Sequence, residues 1–457
     1  MPKRTRYAQV GLGGRHVMFR RAVTGKYSET SEMVGLCDSN PGRLALAVKD
    51  AEETAGITIP GYDAADFDRM IAETKPDCVI VTTRDCFHDE YICRAMELGC
   101  NAISEKPMTT DETKCQRIVD TRKKTGRKCT VTFNYRYAPP RTQVKDLLMS
   151  GVIGEILSVE FHWLLDTKHG ADYYRRWHKD KTSSGSLLVH KATHHFDGIN
   201  WWLSDVPKAV YAKGRRRFYT PGTAERYGLT NRGRRCLECG ETERCPFFLD
   251  LRAKENYVNM YVNCEKYDGY RRDKCVFDFR GETYDPAIDI EDDMFATIEY
   301  RSGVLVAYSL TSYSPWEGYL VHFNGTKGRL EHVIRETSYV SGDGSVPGEL
   351  VGSSILVLPH GEQAWKPDLW TGKGGHGGAD PVMLDYIFDP DNTPPDKYMR
   401  AADHRAGAYS ILCGVAANKS MLEERTIEID ELVTGLDMPD YPPMPTGAEP
   451  LPLFKNK

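Results

Sequence analysis

The stretch that decides the fold is TRYAQVGLGGRHVMFRRAV, residues 5–23. Its apolar run YAQV leads directly into GLGGRH, residues 11–16, and then into a segment with helical periodicity. Glycines at such a strand-to-helix turn let the backbone approach a pyrophosphate, and the first free N–H groups of the helix can bind it. The turn therefore predicts a dinucleotide site, although His16 stands where a third glycine is expected. A tight connection without a ligand is the alternative interpretation.

Asp38 strengthens the dinucleotide interpretation. It ends the next apolar run, MVGLCD, about twenty residues beyond the glycine turn. A carboxylate at this position can accept both ribose hydroxyls of adenosine and would repel a 2′-phosphate, so NAD is favoured over NADP. Arg43 is the nearest following arginine and could weaken that preference.

The pattern of apolar residues along the chain predicts an α/β fold in two parts. Up to about residue 135, short apolar runs alternate with helix-period segments, which is typical of a doubly wound parallel sheet covered by helices. From Glu155 onward, segments such as LSVEFHWL alternate apolar and polar residues, as antiparallel strands with one covered face do. Helices are predicted over 186–203 and about 400–424. The predicted domains are a Rossmann domain over 1–135, an α+β domain with a large, mostly antiparallel sheet over 136–437 that carries a Cys-rich insertion at about 213–290, and a Pro-rich tail over 438–457.

Composition excludes several classes of protein. The 457 residues carry 60 basic and 65 acidic side chains, a formal net charge of −5, and 40% hydrophobic residues. This balance excludes disordered, collagen-like and membrane-spanning chains and argues against nucleic acid as the main partner. Because no stretch approaches the roughly 18 apolar residues of a membrane span, and the start lacks a signal-peptide core, we expect a cytoplasmic protein without a membrane partner.

The segment SLLVHKATHHFDGINWWL contains a candidate proton-transfer site. On one helix, His190, His194 and Asp197 share a face. A neutral imidazole can take the proton of a substrate hydroxyl, and a nearby ammonium group can stabilise the developing alkoxide. Two alternatives are a metal site completed by His376 or Asp380, and imidazoles that merely pack in the core.

Basic residues just upstream predict an anionic substrate. Arg175, Arg176, Lys179 and, on the helix, Lys191 would make the approach to the site positive. Such a site suits a ligand with a carboxylate, sulfonate or phosphate group. A solvated, charged loop is an equally good interpretation.

A cysteine cluster predicts a structural metal. Cys236, Cys239, Cys245 and Cys275 give the spacing C-x₂-C-x₅-C-x₂₉-C in a region that we expect to be too irregular and polar for a hydrophobic core. Four thiolates suit a tetrahedral Zn²⁺ that would stabilise the insertion. An iron–sulfur cluster, free thiols and disulfides remain open, and Cys264 is a fifth candidate.

Three further motifs indicate a resemblance to a known family. The turn at 11–16 is followed in order by EKP (105–107), NYRY (134–137) and GVIGEI (151–156). Together these resemble the Gfo/Idh/MocA oxidoreductases over nearly the whole chain. In that family the EKP lysine, here Lys106, reaches the nicotinamide and the reacting hydroxyl. The family's T-P-x-x-x-H appears here as TRDCFH, residues 83–88, so that an arginine replaces the proline.

The resemblance implies roles for individual residues. His194 matches the family's catalytic histidine and is the expected principal base, with Lys106 as electrostatic partner, while His190 replaces the family's first aspartate. The implied cofactor contacts are Gly11, Gly13, Gly14, Arg15, His16, Asp38, Thr82, Thr83, His88, Glu105, Lys106, Asn134 and Trp177. The predicted substrate contacts, which also draw on the basic approach and on the Gly-rich loop at 374–380, are Tyr137, Arg176, His178, Lys191, Asp197, His376 and Asp380.

The expected activity is NAD-dependent hydride transfer at a secondary hydroxyl of a sugar, polyol or glycoside. An alternative is an NAD-dependent glycoside hydrolase, anionic glycosides included, which oxidises a ring carbon transiently, eliminates the aglycone, adds water and returns the hydride. The surplus of acid and base groups in HKATHH supports this alternative. A third hypothesis is a non-enzymatic NAD-binding regulator or scaffold. We also expect a homo-oligomer formed through the antiparallel sheet.

Overall fold

The computed structural model describes residues 4–264, 272–278, 280–281, 287–336, 352–447 and 451. Within them the chain forms two sheets, one mostly parallel and one mostly antiparallel. The predicted α/β class, with a Rossmann-type first part, is confirmed.

The first sheet has seven strands in the order β14-β6-β5-β4-β1-β2-β3. Its neighbours pair in parallel except at one edge, where β14 from the C-terminal part of the chain runs antiparallel to β6. The carboxyl ends of the parallel strands therefore meet at one edge of the sheet, where ligands bind in such folds. The strands are β1 (Thr5–Val10), β2 (Ser31–Asp38), β3 (Gly61–Asp63), β4 (Cys78–Val81), β5 (Asn101–Ser104), β6 (Cys129–Val131) and β14 (Ala402–Asp403).

The second sheet has eight strands in the order β13-β12-β11-β7-β10-β9-β8-β15. All neighbours are antiparallel except the central pair, β7 and β10, which is parallel. The strands are β7 (Ile156–Asp166), β8 (Pro207–Arg215), β9 (Asp293–Tyr300), β10 (Leu305–Ser314), β11 (Glu317–Gly325), β12 (Gly328–Glu336), β13 (Gly352–Pro359) and β15 (Ile427–Glu428).

Helices cover the first sheet and fill the space between the two sheets. The described helices are α1 (His16–Thr24), α2 (Pro41–Ala55), α3 (Phe67–Thr74), α4 (His88–Glu97), α5 (Glu112–Thr125), α6 (Pro139–Met149), α7 (Thr167–Arg175), α8 (Lys181–Ser184), α9 (Leu187–His190), α10 (Thr193–Leu203), α11 (Pro221–Arg226), α12 (Glu255–Tyr257), α13 (Gly375–Phe388) and α14 (His404–Glu423). Helix α14, predicted at about 400–424, is mostly buried, and its residues belong to an apolar core that continues into both sheets.

One helix prediction needs correction, and one helix was not predicted. The single helix expected over 186–203 is two helices, because α9 ends at His190 and α10 begins at Thr193. Helix α2, beginning behind the Asn40 cap, has no counterpart among the sequence predictions. Only Ala47 and Ala51 of α2 are buried, so its apolar face is small and its periodicity weak.

The insertion also differs from expectation. The region predicted to be too polar for a core buries Leu229, Phe247 and Phe277 in one apolar cluster that includes Tyr219. Part of the predicted insertion and of the Pro-rich tail lies outside the described residues. Among the helices that the structure describes, none has the length and apolarity needed to cross a bilayer; the cytoplasmic location stays a prediction.

Candidate active site

The glycine turn between β1 and α1 has the shape of a phosphate cradle. Gly11 has φ +86°, and a Cβ there would lie 2.4 Å from the backbone nitrogen of Thr83, so only glycine fits. At Gly13 and Gly14, by contrast, no described atom lies within 4 Å of the position of a Cβ. The backbone is therefore open on the side where a pyrophosphate would approach the N-terminus of α1.

Asp38 closes the adenosine end of this cradle. One carboxylate oxygen accepts the Leu12 N–H at 2.5 Å, and the other accepts the Asn40 N–H at 2.7 Å. The residue is buried at the end of β2. The carboxylate thus stands where a ribose diol would bind, so the residues present fit a dinucleotide.

The other predicted cofactor contacts of the first sheet line the same turn. Thr82 Oγ1 donates to Gly11 O at 2.5 Å, and Thr83 follows directly. The His88 ring lies between the carbonyl oxygens of Pro107 (2.8 Å) and Thr83 (3.1 Å). His16 Nδ1 lies 2.5 Å from Gly13 O, and burial lowers its pKa to about 4, so this ring stays neutral.

A polar network joins the turn to the C-terminal part of the chain. Arg15 Nε donates to Glu105 Oε1 at 2.6 Å, and its Nη2 lies 3.5 Å from Asp380 Oδ1. The same Asp380 oxygen accepts Asn134 Nδ2 at 2.8 Å, and the other oxygen lies 2.8 Å from His376 Nδ1. These contacts hold the pKa of Asp380 below its usual range. The structure therefore brings together five predicted site residues from four separate segments.

Lys106 stands at the centre of a second cluster. Its Nζ donates to His190 O at 3.4 Å, and His190 Nδ1 is hydrogen-bonded to a carboxylate oxygen of Asp85. Burial lowers the pKa of Lys106 to about 8, while the negative charges of Asp85 and Glu105 oppose that shift. Burial also raises the pKa of Asp85 well above its usual value. An amine whose pKa is lowered in this way can stabilise negative charge or carry a proton.

Three further imidazole and indole rings surround this cluster. His178 stacks on Trp177 with ring centroids 3.8 Å apart and meets His190 edge-on at 4.2 Å. His194 stacks on Tyr135 at 4.0 Å. Within the part of the chain that the structure describes, Nδ1 of both His178 and His194 is buried without a hydrogen-bond partner. Burial and the positive charge of Lys106 hold the pKa of His194 well below its usual value, so the ring is neutral near pH 7.

The basic residues near the site already have acidic partners. Arg176 Nη1 bonds Asp172 Oδ2 at 2.8 Å, and Lys191 Nζ lies 3.6 Å from Glu317 Oε1 and 4.4 Å from the centroid of the Trp163 ring. Their charges are thus matched inside the protein, which weakens the argument for an anionic substrate.

Two residues predicted to contact the substrate are bound by other groups of the protein. Both oxygens of Asp197 accept from Arg136, at 2.8 and 2.5 Å, and the pair is almost completely buried. Tyr137 is packed against Ala379 and Met383, with the Arg400 guanidinium over its ring. Both side chains are thus engaged by other protein groups in this structure, and their contact with a substrate stays a prediction.

The zinc prediction is not supported. Cys236, Cys239, Cys245 and Cys275 line one small cavity of the insertion as free cysteines. Burial raises the pKa of the Cys236 thiol to about 11. Among the described residues, no group of three or more His, Cys, Asp or Glu side chains is arranged to hold a metal ion. The same finding removes support from a metal site at the histidines of residues 186–203. The apolar core described above explains how the insertion folds without a metal ion.

Sequence reasoning missed two buried carboxylates of the site. Asp85 lies in the TRDCFH segment that was singled out only for its missing proline, and a signal was present there because the histidine helix lacks its expected aspartate. Glu317, which also bonds His169 Nδ1 at 2.7 Å, comes from the start of β11, and we find no local signal for it.

Comparison with known proteins agrees with this architecture. Residues 5–133 match the family described as "Oxidoreductase family, NAD-binding Rossmann fold", and residues 145–429 match "Oxidoreductase family, C-terminal alpha/beta domain". A Bacillus subtilis (strain 168) protein named as an oxidoreductase, YteT, is 35% identical over 423 residues, which cover 91% of this chain and 95% of YteT.

Two more distant relatives match shorter stretches. An inositol 2-dehydrogenase/D-chiro-inositol 3-dehydrogenase of Lactiplantibacillus plantarum is 27% identical over 175 residues, 38% of this chain and 45% of its own. Glycosyl hydrolase family 109 protein 1 of Akkermansia muciniphila is 28% identical over 198 residues, 41% of this chain and 40% of its own. With matches over both domains and a relative of nearly equal extent, the chain belongs to the Gfo/Idh/MocA family of oxidoreductases.

Proposed function

We propose that this protein transfers a hydride between NAD and a secondary hydroxyl of a sugar, polyol or glycoside. The observation that carries the proposal is the meeting of Lys106, from the end of the parallel sheet, with His190 and His194, from the helices beneath the antiparallel sheet. The name of the inositol dehydrogenase relative supports a polyhydroxylated substrate. Asp38 supports NAD over NADP, because its carboxylate would repel a 2′-phosphate.

The bound nicotinamide would supply the acceptor or donor of the hydride. Lys106 would then stabilise the developing alkoxide, and His194 would take the hydroxyl proton as principal base. No protein hydrogen bond among the described residues fixes Nδ1 of His194, so its protonation state is free to follow the substrate. His190 is held through Nδ1 by Asp85, and burial keeps this imidazole neutral, so its Nε2 would accept a hydrogen bond from the substrate hydroxyl.

A second candidate function is NAD-dependent glycoside cleavage without net oxidation. The observation that favours it is His178, a third buried imidazole next to His190 with an unpartnered Nδ1 in the described structure. Elimination and water addition each need an acid or base in addition to the pair used for oxidation. The similarity to a protein named for a glycosyl hydrolase family also supports this candidate.

One assay separates the two functions. Neutral and anionic glycosides, free sugars and polyols are incubated with trace NAD⁺ or, in parallel, NADP⁺, and both NADH and free sugar are measured. We expect NADH to form from NAD⁺ with at least one polyol or sugar, and no NADPH to form from NADP⁺. Free sugar released without NADH would favour glycoside cleavage, and no reaction with any compound would contradict an enzymatic role.

The proposal includes self-association through the second sheet. Its outer face exposes Tyr211, Phe295 and Leu305, which are 40%, 56% and 53% exposed and lie on the neighbouring strands β8, β9 and β10. Exposed apolar side chains grouped on one sheet face are typical of subunit interfaces. Sedimentation equilibrium would show a mass that is a multiple of the 51.6 kDa chain, and a monomer at micromolar concentration would contradict it.

A further inference from the structure

A surface segment runs from the edge of the second sheet to the candidate active site. We call residues 361–373 the arm. It begins two residues after β13 and ends at the Gly-rich turn, residues 374–378, which leads into α13. Most residues of the arm are exposed, and among them Trp365 and Trp370 are 40% and 39% exposed. An exposed indole ring near a binding crevice is a candidate ligand contact, because it is both apolar and able to donate a hydrogen bond.

The arm is fixed in place at Trp370. Gln143 of α6 is buried, and its Nε2 donates to Asp368 O at 2.7 Å. The backbone N–H of Trp370 donates to Gln143 Oε1 at 2.9 Å. Leu369, between these two bonds, packs against the main apolar core. Trp370 is therefore an exposed side chain on a held backbone, and a ligand that covers it has little of the chain left to order.

The arm reaches the active site directly after Trp370. A Cβ at Gly372 would lie 3.2 Å from Gly377 O and 3.3 Å from Gly378 Cα, so the arm packs against the Gly-rich turn just beyond His376. Two residues of chain span at most about 7 Å. One ligand can therefore contact both Trp370 and His376.

His376 lies between the arm and the proposed base. Its ring centroid is 6.3 Å from that of Tyr135, which stacks on His194 at 4.0 Å. The His376 side chain is partly exposed, and its Nδ1 lies 2.8 Å from Asp380 Oδ2. The backbone of His376 has φ +52°, a value that a non-glycine residue keeps only where its surroundings hold it. The rings thus lead from the buried His194 outward to Trp370.

We propose that His376 and Trp370 form a subsite for a second sugar residue, next to the sugar that reacts at Lys106 and His194. This inference rests on the proposed function, because it names the substrate class of the same site. A sugar ring has apolar C–H groups on its faces and hydroxyls at its rim. The indole would cover one face, and His376 Nε2, the ring nitrogen turned away from Asp380, would bond a hydroxyl. The substrate is therefore a glycoside of at least two sugar residues.

Trp365 provides a matched control on the same arm. It is equally exposed, but its backbone is bridged to Val357 on the outermost strand β13. Across the sheet, Val357 is in line with Phe323 of β11, whereas Tyr319, which pairs with Trp163 beside Lys191, lies four residues earlier. Four residues of a strand cover about 13 Å. Trp365 is thus displaced along the sheet from the site.

The experiment measures sugar binding to the full-length protein by calorimetry, with NADH present so that an unoxidised sugar cannot react. The probes are the methyl glycosides of glucose, galactose and mannose, and disaccharides that contain each of these sugars. We expect at least one disaccharide to bind the wild type about tenfold more tightly than the matching methyl glycoside. This preference should fall below about twofold in Trp370→Ala. It should persist in Trp365→Ala and largely persist in Trp370→Phe, whose ring still covers a sugar face.

The outcomes separate this inference from the proposed function. Equal affinity of the wild type for every disaccharide and its methyl glycoside would overturn the subsite, even if the protein oxidises sugars as expected. A preference that survives in Trp370→Ala, or that is lost equally in Trp365→Ala, would overturn it as well. Trp370→Gln, which keeps a long side chain at this exposed position, gives the same test if the alanine variant does not fold. Failure of the wild type to bind any of these sugars would contradict both proposals.

Discussion

Replacing Lys106 with methionine is expected to lower kcat by about a thousandfold while the affinity for NADH changes by less than about threefold. Methionine keeps most of the apolar stem of the side chain and removes the ammonium group. That group lies in a partly buried site, next to Asp85 and His190, where a fixed positive charge stabilises an alkoxide more than in solution. Steady-state kinetics with the substrate found by the assay, together with NADH titration by fluorescence, would measure both quantities.

The matched control is Lys114→Met. Lys114 is a partly exposed lysine of α5 whose Nζ donates to Thr110 Oγ1 and which takes no part in the cluster. The control should keep wild-type kcat. If Lys106→Met retains more than about a tenth of wild-type turnover, the electrostatic role of Lys106 is wrong.

Much of the fold could be predicted from the sequence because the strands follow two simple hydrophobic patterns. Buried parallel strands are short apolar runs, and strands with one covered face alternate, so the change of rhythm near Glu155 separates the two kinds of sheet. The parallel pairing of β7 with β10 was not accessible, because side-chain alternation is the same in parallel and antiparallel strands. Strand β14 was missed for a different reason: two residues are too few to show any period.

The candidate site divides in the same way. Gly11 and Asp38 could be predicted because their roles depend on the local turn and on the end of one strand. The contact between Asp85 and His190 joins residues 105 positions apart, and it depends on how the two domains pack. The family resemblance indicated that His190 stands where an aspartate is expected, but it did not indicate which segment supplies the carboxylate next to it.

The insertion shows how composition alone can mislead. Its many Arg, Tyr and Cys residues suggested a region too polar for a hydrophobic core, with a structural zinc ion as the leading prediction. In the structure, aromatic rings such as those of Phe247 and Phe277 form the core, and Arg175 reaches in to bond Phe247 O at 2.9 Å. Amphipathic and aromatic side chains can bury much of their surface even in a segment rich in charge.

Replacing Asp85 with asparagine is expected to lower kcat by about a hundredfold and to shift the pH profile. The amide can still accept a hydrogen bond from His190 Nδ1, so the ring keeps its place, but the negative charge is lost. The charge of Asp85 raises the pKa of Lys106, which stands at about 8 in the wild type. Its loss must therefore lower the pKa of Lys106 further. If the ammonium form is the active one, kcat/KM declines as pH rises through about 8 in the wild type, and in Asp85→Asn the decline begins at lower pH.

A buried aspartate outside the cluster provides the comparison. Asp89 is also buried in the Rossmann domain, but its carboxylate pairs with Arg117 on α5. Asp89→Asn should alter thermal stability without moving the pH profile, because Asp89 has no contact with Lys106 or His190 among the described interactions. A purely structural role for Asp85 would make its asparagine variant behave in the same way. A carboxylate that acts on the charge of Lys106 through space predicts a shift of the pH profile to lower pH in Asp85→Asn. The same shift should be absent from Asp89→Asn and from Lys106→Met.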